Sequence, residues 1–221
     1  MKKRSVFSLL SPFMEEERKK RLEEVAEKRT KGVVLVLENL HDPHNLSAIL
    51  RSAEAFGIQY IYLTGQYPED INRAISLGSE NWITILKEPR LKKVVKHLRN
   101  EGYIIAATLP SSSGIDPKDY KEKKPVALFL GNEHSGLTEE AVNSADIIFT
   151  IPHSGFVKSL NVSVTAAICS YSLLKKRFLK NFFLTKEEKN SLLDLWAFKS
   201  VPNSQRILKE VKKRKFKRLS Q

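Results

Sequence analysis

Cysteine is almost missing from this chain. Cys169 stands alone among 221 residues, so no intramolecular disulfide can form, and the framework of a small secreted scaffold is excluded. No apolar run approaches the roughly 18–20 residues of a membrane span. The N-terminal stretch also lacks the continuous apolar centre of a secretory signal, so a cytoplasmic protein that engages no membrane is expected. The nine glycines include no Gly-x-Gly-x-x-Gly after a strand, and Gly131-Asn-Glu-His-Ser-Gly136 lacks the Lys-Ser/Thr of a phosphate loop; neither a dinucleotide nor an ATP site is signalled. A Gly-x-Ser-x-Gly elbow is missing, which argues against a serine hydrolase built on Ser159 with His134 or His153. His41 and His44 flank Pro43 without a further ligand cluster, so no metal is expected.

Acidic residues are the minority, and the net charge is +13. Residues 1–31 hold ten basic against six acidic side chains, residues 32–174 thirteen against fifteen, and residues 175–221 fifteen against four. A near-neutral centre between basic ends is the footprint of a polyanion binder, with nucleic acid the first partner to consider. Phe13 to Arg29 reads as an exposed helix, glutamates early and Lys/Arg late. Its basic residues, Arg18 to Arg21 and Arg29, either face phosphate or pair with Glu15, Glu16, Glu23 and Glu24; both readings stand. Residues 209–218 are either a phosphate-gripping arm or a disordered basic tail, after a short helix over 191–196.

Between the basic ends, apolar runs at 33–38, 59–64, 82–86, 103–108, 126–130 and 146–151 alternate with helical periods at 46–56, 71–77, 91–100, 137–144 and 161–179. Continuous apolar strands such as Val33-Val-Leu-Val-Leu-Glu38 mark a sheet covered on both faces, so a mostly parallel α/β sheet is predicted. Pro43 is read as holding the loop 39–45 out of helix, and Gly57 as closing the helix that follows. The domain plan is a basic extension (1–31), a central α/β domain (32–180) and a second basic extension (181–221). Loops after the strands carry Asn132, Glu133, His134, Ser159 and Asn161, a dense set of polar side chains on the side where open α/β sheets bind ligands. Cys169 falls on the apolar face of the last central helix, as a small buried hydrophobe.

Three ordered motifs carry a resemblance. Asn39-Leu-His-Asp-Pro-His-Asn-Leu-Ser-Ala-Ile-Leu-Arg51, Leu130-Gly-Asn-Glu133 with Ile151-Pro152, and Ser159-Leu-Asn-Val-Ser-Val164, with Gly78-Ser79 and Trp82 between, resemble the SPOUT class of RNA methyltransferases. The likeness covers roughly residues 15–180 and is narrowest to the TrmH type, which methylates the 2'-hydroxyl of the guanosine at tRNA position eighteen. It implies a C-terminal trefoil knot, against the general rule that chains do not thread loops. It implies S-adenosylmethionine as methyl donor, held at Thr108, Gly131, Ile151 and Leu160, no metal, and a homodimer joined through the helix containing Cys169 and Tyr171. The matching catalytic positions are Asn45, Arg51, Glu133, Ser159 and Asn161, and the RNA-contacting ones Arg21, Arg29, Lys175 and Arg177. Arg51 matches the residue proposed as general base; since a guanidinium keeps its proton in proteins, orienting the 2'-oxygen or a phosphate is the other role. Asn45 and Asn161 each stand before a helix, and read equally well as caps. A related ribosomal RNA methyltransferase and a non-catalytic RNA-binding protein are the alternatives; the full polar set argues against the second.

Overall fold

The computed structural model describes residues 5–111, 113–175 and 181–219. In chain order its elements are α1 (Val6–Leu10), α2 (Glu16–Glu27), β1 (Val33–Glu38), α3 (Pro43–Ala55), β2 (Tyr60–Thr64), α4 (Arg73–Ser76), β3 (Thr84–Lys87), α5 (Leu91–Asn100), β4 (Ile104–Thr108), β5 (Val126–Leu130), α6 (Glu139–Asn143), β6 (Ile147–Phe149), α7 (Val162–Leu174), α8 (Lys186–Ser200) and α9 (Ser204–Leu219). They divide into two compact units, one of residues Thr30–Phe183 and one made of the segments up to Arg29 and from Leu184 onward. The two basic extensions are therefore parts of one unit rather than separate appendages. No helix among the described residues is long and apolar enough to cross a membrane.

In the larger unit the described strands form one sheet in the order β3-β2-β1-β5-β4-β6, with every pairing parallel. Period-two geometry sorts β1 between two cores. Val33, Leu35 and Leu37 join Leu46, Ile49 and Leu50 of α3 and Ala166, Cys169 and Leu173 of α7. Val34 and Val36 face the other way, onto Leu91, Val94 and Leu98 of α5 and Ala141 of α6. All six β1 residues are buried. Each Val or Leu contributes about 1.5–3 kcal/mol by leaving water, so one charged residue in this strand would unseat both layers.

β1 leads through α3 to β2 on one side, while β5 pairs on its other side. A cavity of this unit lies at the carboxyl ends of β4, β5 and β6, lined by Thr108, Leu130 and Phe149, on the side where open α/β sheets take ligands.

Pro43 does not hold its loop out of helix. It is the first residue of α3, with the Asp42 side chain accepting a hydrogen bond from the His44 amide at 2.8 Å. Proline suits this position because its missing N–H belongs to the helix donors that lack partners anyway. α7 ends at Leu174 with Lys175 as its C-cap; residues 176–179 of the continuation expected to 179 lie outside the described residues.

The smaller unit buries Leu10, Ala197 and Val201 against Val6, Phe7, Ile207 and Leu208. Its helix α8 is much longer than the expected 191–196, because Thr185 and Glu188 form a capping box that starts it early. The Phe7 amide donates to Asp194 at 2.7 Å, tying the start of the chain to α8.

Candidate active site

The turns after β1 and β5 are locked together by side-chain amides. Asn39, in a left-handed conformation (φ 51°), accepts from the Gln66 amide at 2.9 Å, and its carbonyl accepts from the Asn132 side chain at 2.8 Å. Asn132 closes the Gly131–Gly136 turn with backbone hydrogen bonds of 3.0 and 2.9 Å to Gly136, and its Oδ1 accepts from the amides of His134 and Ser135. At Gly131 an added Cβ would stand 2.2 Å from the Gly136 carbonyl carbon, so only glycine lets the turn fold back on itself. The buried Glu38 ends β1 and accepts from the Thr138 amide (2.9 Å) and hydroxyl (2.7 Å), which seats the cap of α6; this carboxylate is fully employed in structure.

Above this scaffold three predicted residues form a chain. Asn161 Nδ2 donates to Asn45 Oδ1 at 2.9 Å, and Asn45 Nδ2 donates to Glu133 Oε1 at 2.8 Å. Asn161 is also the N-cap of α7, its Oδ1 accepting from the Ser163 and Val164 amides and from the Ser163 hydroxyl. Asn45 is not a cap. Asp42 takes that role, leaving Asn45 buried within the first turn of α3, where its side chain serves the network alone.

A cavity of about 780 Å³ opens beside this chain, within the size range of small-molecule sites. Thr108, Gly131, Ile151 and Leu160 all line it, as do Glu133, Ser159 and Asn161. Its wall also includes residues the sequence reading did not assign to it, among them Phe149, Thr165 and Cys169. Phe149 and Cys169 sit at apolar positions that look like ordinary core, and only the three-dimensional closure of the loops puts them on a cavity. Burial, with a smaller contribution from Asp116, pushes the Cys169 thiol up to about 12, so it stays neutral. The Thr108 hydroxyl donates to the Phe129 carbonyl at 2.8 Å. The combination of a glycine-lined cradle, apolar wall and polar rim fits an amphipathic ligand such as S-adenosylmethionine.

Arg51 is not brought into this cavity. It lies six residues beyond Asn45 on α3, about 9 Å along the axis, exposed and without an ion pair among the described residues. The RNA-contact positions fare unevenly. Arg21 is exposed, 4.0 Å from Glu24. Lys175 sits with Nζ 4.2 Å from the centre of the Tyr171 ring, a cation–π contact that leaves the charge available. Arg29 corrects the expectation: it is fully buried, its guanidinium 5.4 Å from the centre of the Trp196 ring, and it does not offer its charge to phosphate. Arg177 lies outside the described residues.

A parallel α/β unit with a cavity at the carboxyl ends of β4, β5 and β6, rimmed by an amide–carboxylate chain, has the architecture of an α/β ligand-binding domain. Residues 32–171 match the SpoU rRNA Methylase family, and the chain belongs to that family. It is 35% identical over 193 residues to the tRNA (guanosine(18)-2'-O)-methyltransferase of Aquifex aeolicus, spanning 84% of this chain and 91% of that protein. A crystal structure of the A. aeolicus TrmH/SpoU tRNA modifying enzyme is similar with a TM-score of 0.76 and 34% identity, over 85% of this chain and 98% of that one. The AdoMet-bound rRNA methyltransferase of Sinorhizobium meliloti is similar with a TM-score of 0.60 and 26% identity, over 69% and 59% of the two chains.

Proposed function

We propose that this protein transfers the methyl group of S-adenosylmethionine to the ribose 2'-hydroxyl of guanosine 18 in the tRNA D-loop. The observation that carries the reading is the convergence on one cavity of Thr108, Gly131, Ile151 and Leu160 with Glu133, Ser159 and Asn161, in a chain that matches a tRNA guanosine-18 enzyme along most of its length. S-adenosylmethionine supplies a methyl group already activated on a sulfonium, so the protein's task is alignment and help with one proton. The 131–136 turn, with Ile151 and Leu160, holds the donor, and Leu109, Ile151 and Leu160 offer apolar surface for its adenine. Asn45 fixes the Glu133 carboxylate at the rim. Arg51 carries a permanent charge and orients the 2'-oxygen or an adjacent phosphate, while a different group or water accepts the proton. Alignment within about 3–3.5 Å accounts for much of the rate.

The same reading includes a trefoil knot and a homodimer. After β6 at the sheet edge, residues 150–161 return to begin α7 against α3 and β1, a course compatible with a knotted chain. Val164, Ile168 and Tyr171, at i, i+4 and i+7 of α7, are 44, 38 and 50% exposed, and the Phe56 ring lies 5.8 Å from that of Tyr171. An apolar stripe beyond the one already buried in the core suits a second copy. Basic side chains of the terminal unit suit tRNA phosphate, and the setting is cytoplasmic.

The test is transfer from labelled S-adenosylmethionine to unmodified tRNA and ribosomal RNA transcripts, with nuclease mapping of the labelled nucleotide. Label in a 2'-O-methylguanosine of the D-loop supports the reading. Label confined to ribosomal RNA keeps the chemistry and moves the target; no transfer to either, with no donor binding, leaves an RNA-binding protein.

A further inference from the structure

Between His153 and Lys158, both on the wall of the cavity, the chain leaves that wall and returns to it. The ends of the excursion are tied, for the His153 ring nitrogens lie 3.1 Å from the Ile151 carbonyl oxygen and 3.0 Å from that of Val157. At its turn Phe156 holds its side chain wholly in water, at 109% of reference exposure, with Val157 beside it at 60%. No other large apolar side chain among the described residues is as exposed. A phenylalanine is ordinarily among the most buried residues, and this one is anchored by a clamped loop rather than trailing at a chain end.

We propose that Phe156 is the stacking platform for the nucleobase of the nucleotide being methylated. The inference rests on the proposed transfer to an RNA ribose. A 2'-oxygen can meet the methyl only at the cavity, and the base on the adjacent ribose carbon must then lie within a few ångströms of the rim. A base drawn out of its stack takes an aromatic face as replacement, which is how single-stranded RNA is generally held. The clamped turn puts such a face two residues from Lys158 and three from Ser159, both on the cavity wall. The α7 stripe is a separate apolar surface, so a second copy has its own place to bind without Phe156.

Phe156→Ala, Phe156→Leu and Phe156→Trp test this on the full chain, with kcat and KM for an unmodified tRNA transcript, calorimetry with S-adenosylmethionine, and sedimentation. Stacking of one base on an aromatic ring is worth a factor of about 5–150. The alanine variant is expected to lose about 10-fold or more in kcat/KM for tRNA, tryptophan to retain activity and leucine to fall between, with donor affinity and oligomeric state unchanged. An alanine variant within two-fold of wild type, a leucine variant equal to phenylalanine, or a loss of the dimer in place of a loss of tRNA would overturn the assignment. A wild-type chain that methylates no RNA overturns the underlying reading as well, whereas an active wild type indifferent to Phe156→Ala overturns only this one.

Discussion

Asn45→Asp probes the amide–carboxylate chain with the smallest change of shape. The amide that now donates to Glu133 at 2.8 Å becomes a second carboxylate at the same place. Two unit charges at that distance repel by about 6 kcal/mol at an effective dielectric of 20. Glu133 is half-buried and can turn toward water, which leaves about 3 kcal/mol. Like-charge repulsion raises one carboxyl of the variant above the ordinary carboxylate range. The raised group binds its proton more tightly in the folded than in the unfolded chain, so the penalty is complete at high pH and vanishes once pH falls below the ordinary carboxylate range. In melting experiments about 3 kcal/mol lowers Tm by about 6–12 °C for a domain of this size, and the gap from wild type should be smaller at pH 5 than at pH 8. Methyl transfer at pH 8 should fall with it. Asn45→Ala is the control, with a loss of about 2 kcal/mol that does not depend on pH in this way. An Asn45→Asp protein that melts like wild type at pH 8, or one whose deficit is the same at both pH values, would refute the contact as the source of the effect.

Gly131→Ala should cost about 1–3 kcal/mol of overpacking and weaken donor binding in calorimetry, since its Cβ meets the Gly136 backbone; wild-type affinity would mean the turn has room to yield. Arg51→Ala, at an exposed position, should leave stability within about 0.5 kcal/mol and tRNA affinity within a few-fold, while single-turnover transfer drops about 10²-fold or more; lost affinity with an unchanged rate contradicts a catalytic role. Ile168→Asp, on the exposed stripe of α7, should shift the sedimenting species from dimer to monomer, and a species of unchanged mass removes that face as the interface. Neutralising Arg206 and Lys209 together should reduce the slope of log affinity for tRNA against log salt by about 0.9 per residue, an effect absent if these side chains do not touch phosphate.

The sheet was legible because burial on both faces leaves continuous apolar runs, and β1 and α5 keep the predicted bounds to the residue. Where the reading failed, the missing information was of two kinds. Some of it was local and overlooked: Asp42-Pro43 is a cap followed by a helix-starting proline, and Thr185 three residues before Glu188 is a capping-box signature ahead of α8. The rest was beyond local sequence. Arg29 reads as one more charge on an exposed helix until Trp196, 167 positions later, comes within 5.4 Å of it. The site shows the same limit. Its polar members stood out as motif residues, but the apolar cavity wall is indistinguishable from core without knowing which loops meet.

The direction of the amide chain explains why asparagine is needed at both of its links. Glu133, when ionised, only accepts, so Asn45 must present its NH₂ to it and its oxygen to the next partner. That partner must then donate, so Asn161 presents NH₂ to Asn45 and keeps its oxygen for the amides of Ser163 and Val164. Every hydrogen bond runs the same way, from the electropositive start of α7 to the carboxylate, and successive bonds of one sense polarise one another. An aspartate at either link has no donor to pass on, and a leucine has neither end. Capping and site-building at Asn161 are thus one arrangement: the oxygen that starts the helix fixes which face of the amide is left to hold Asn45, and through it Glu133. The choice between capping and joining the amide chain, which sequence alone left open, falls differently at the two positions. Asn45 is relieved of capping by Asp42, whereas Asn161 does both because its two polar atoms point to opposite neighbours.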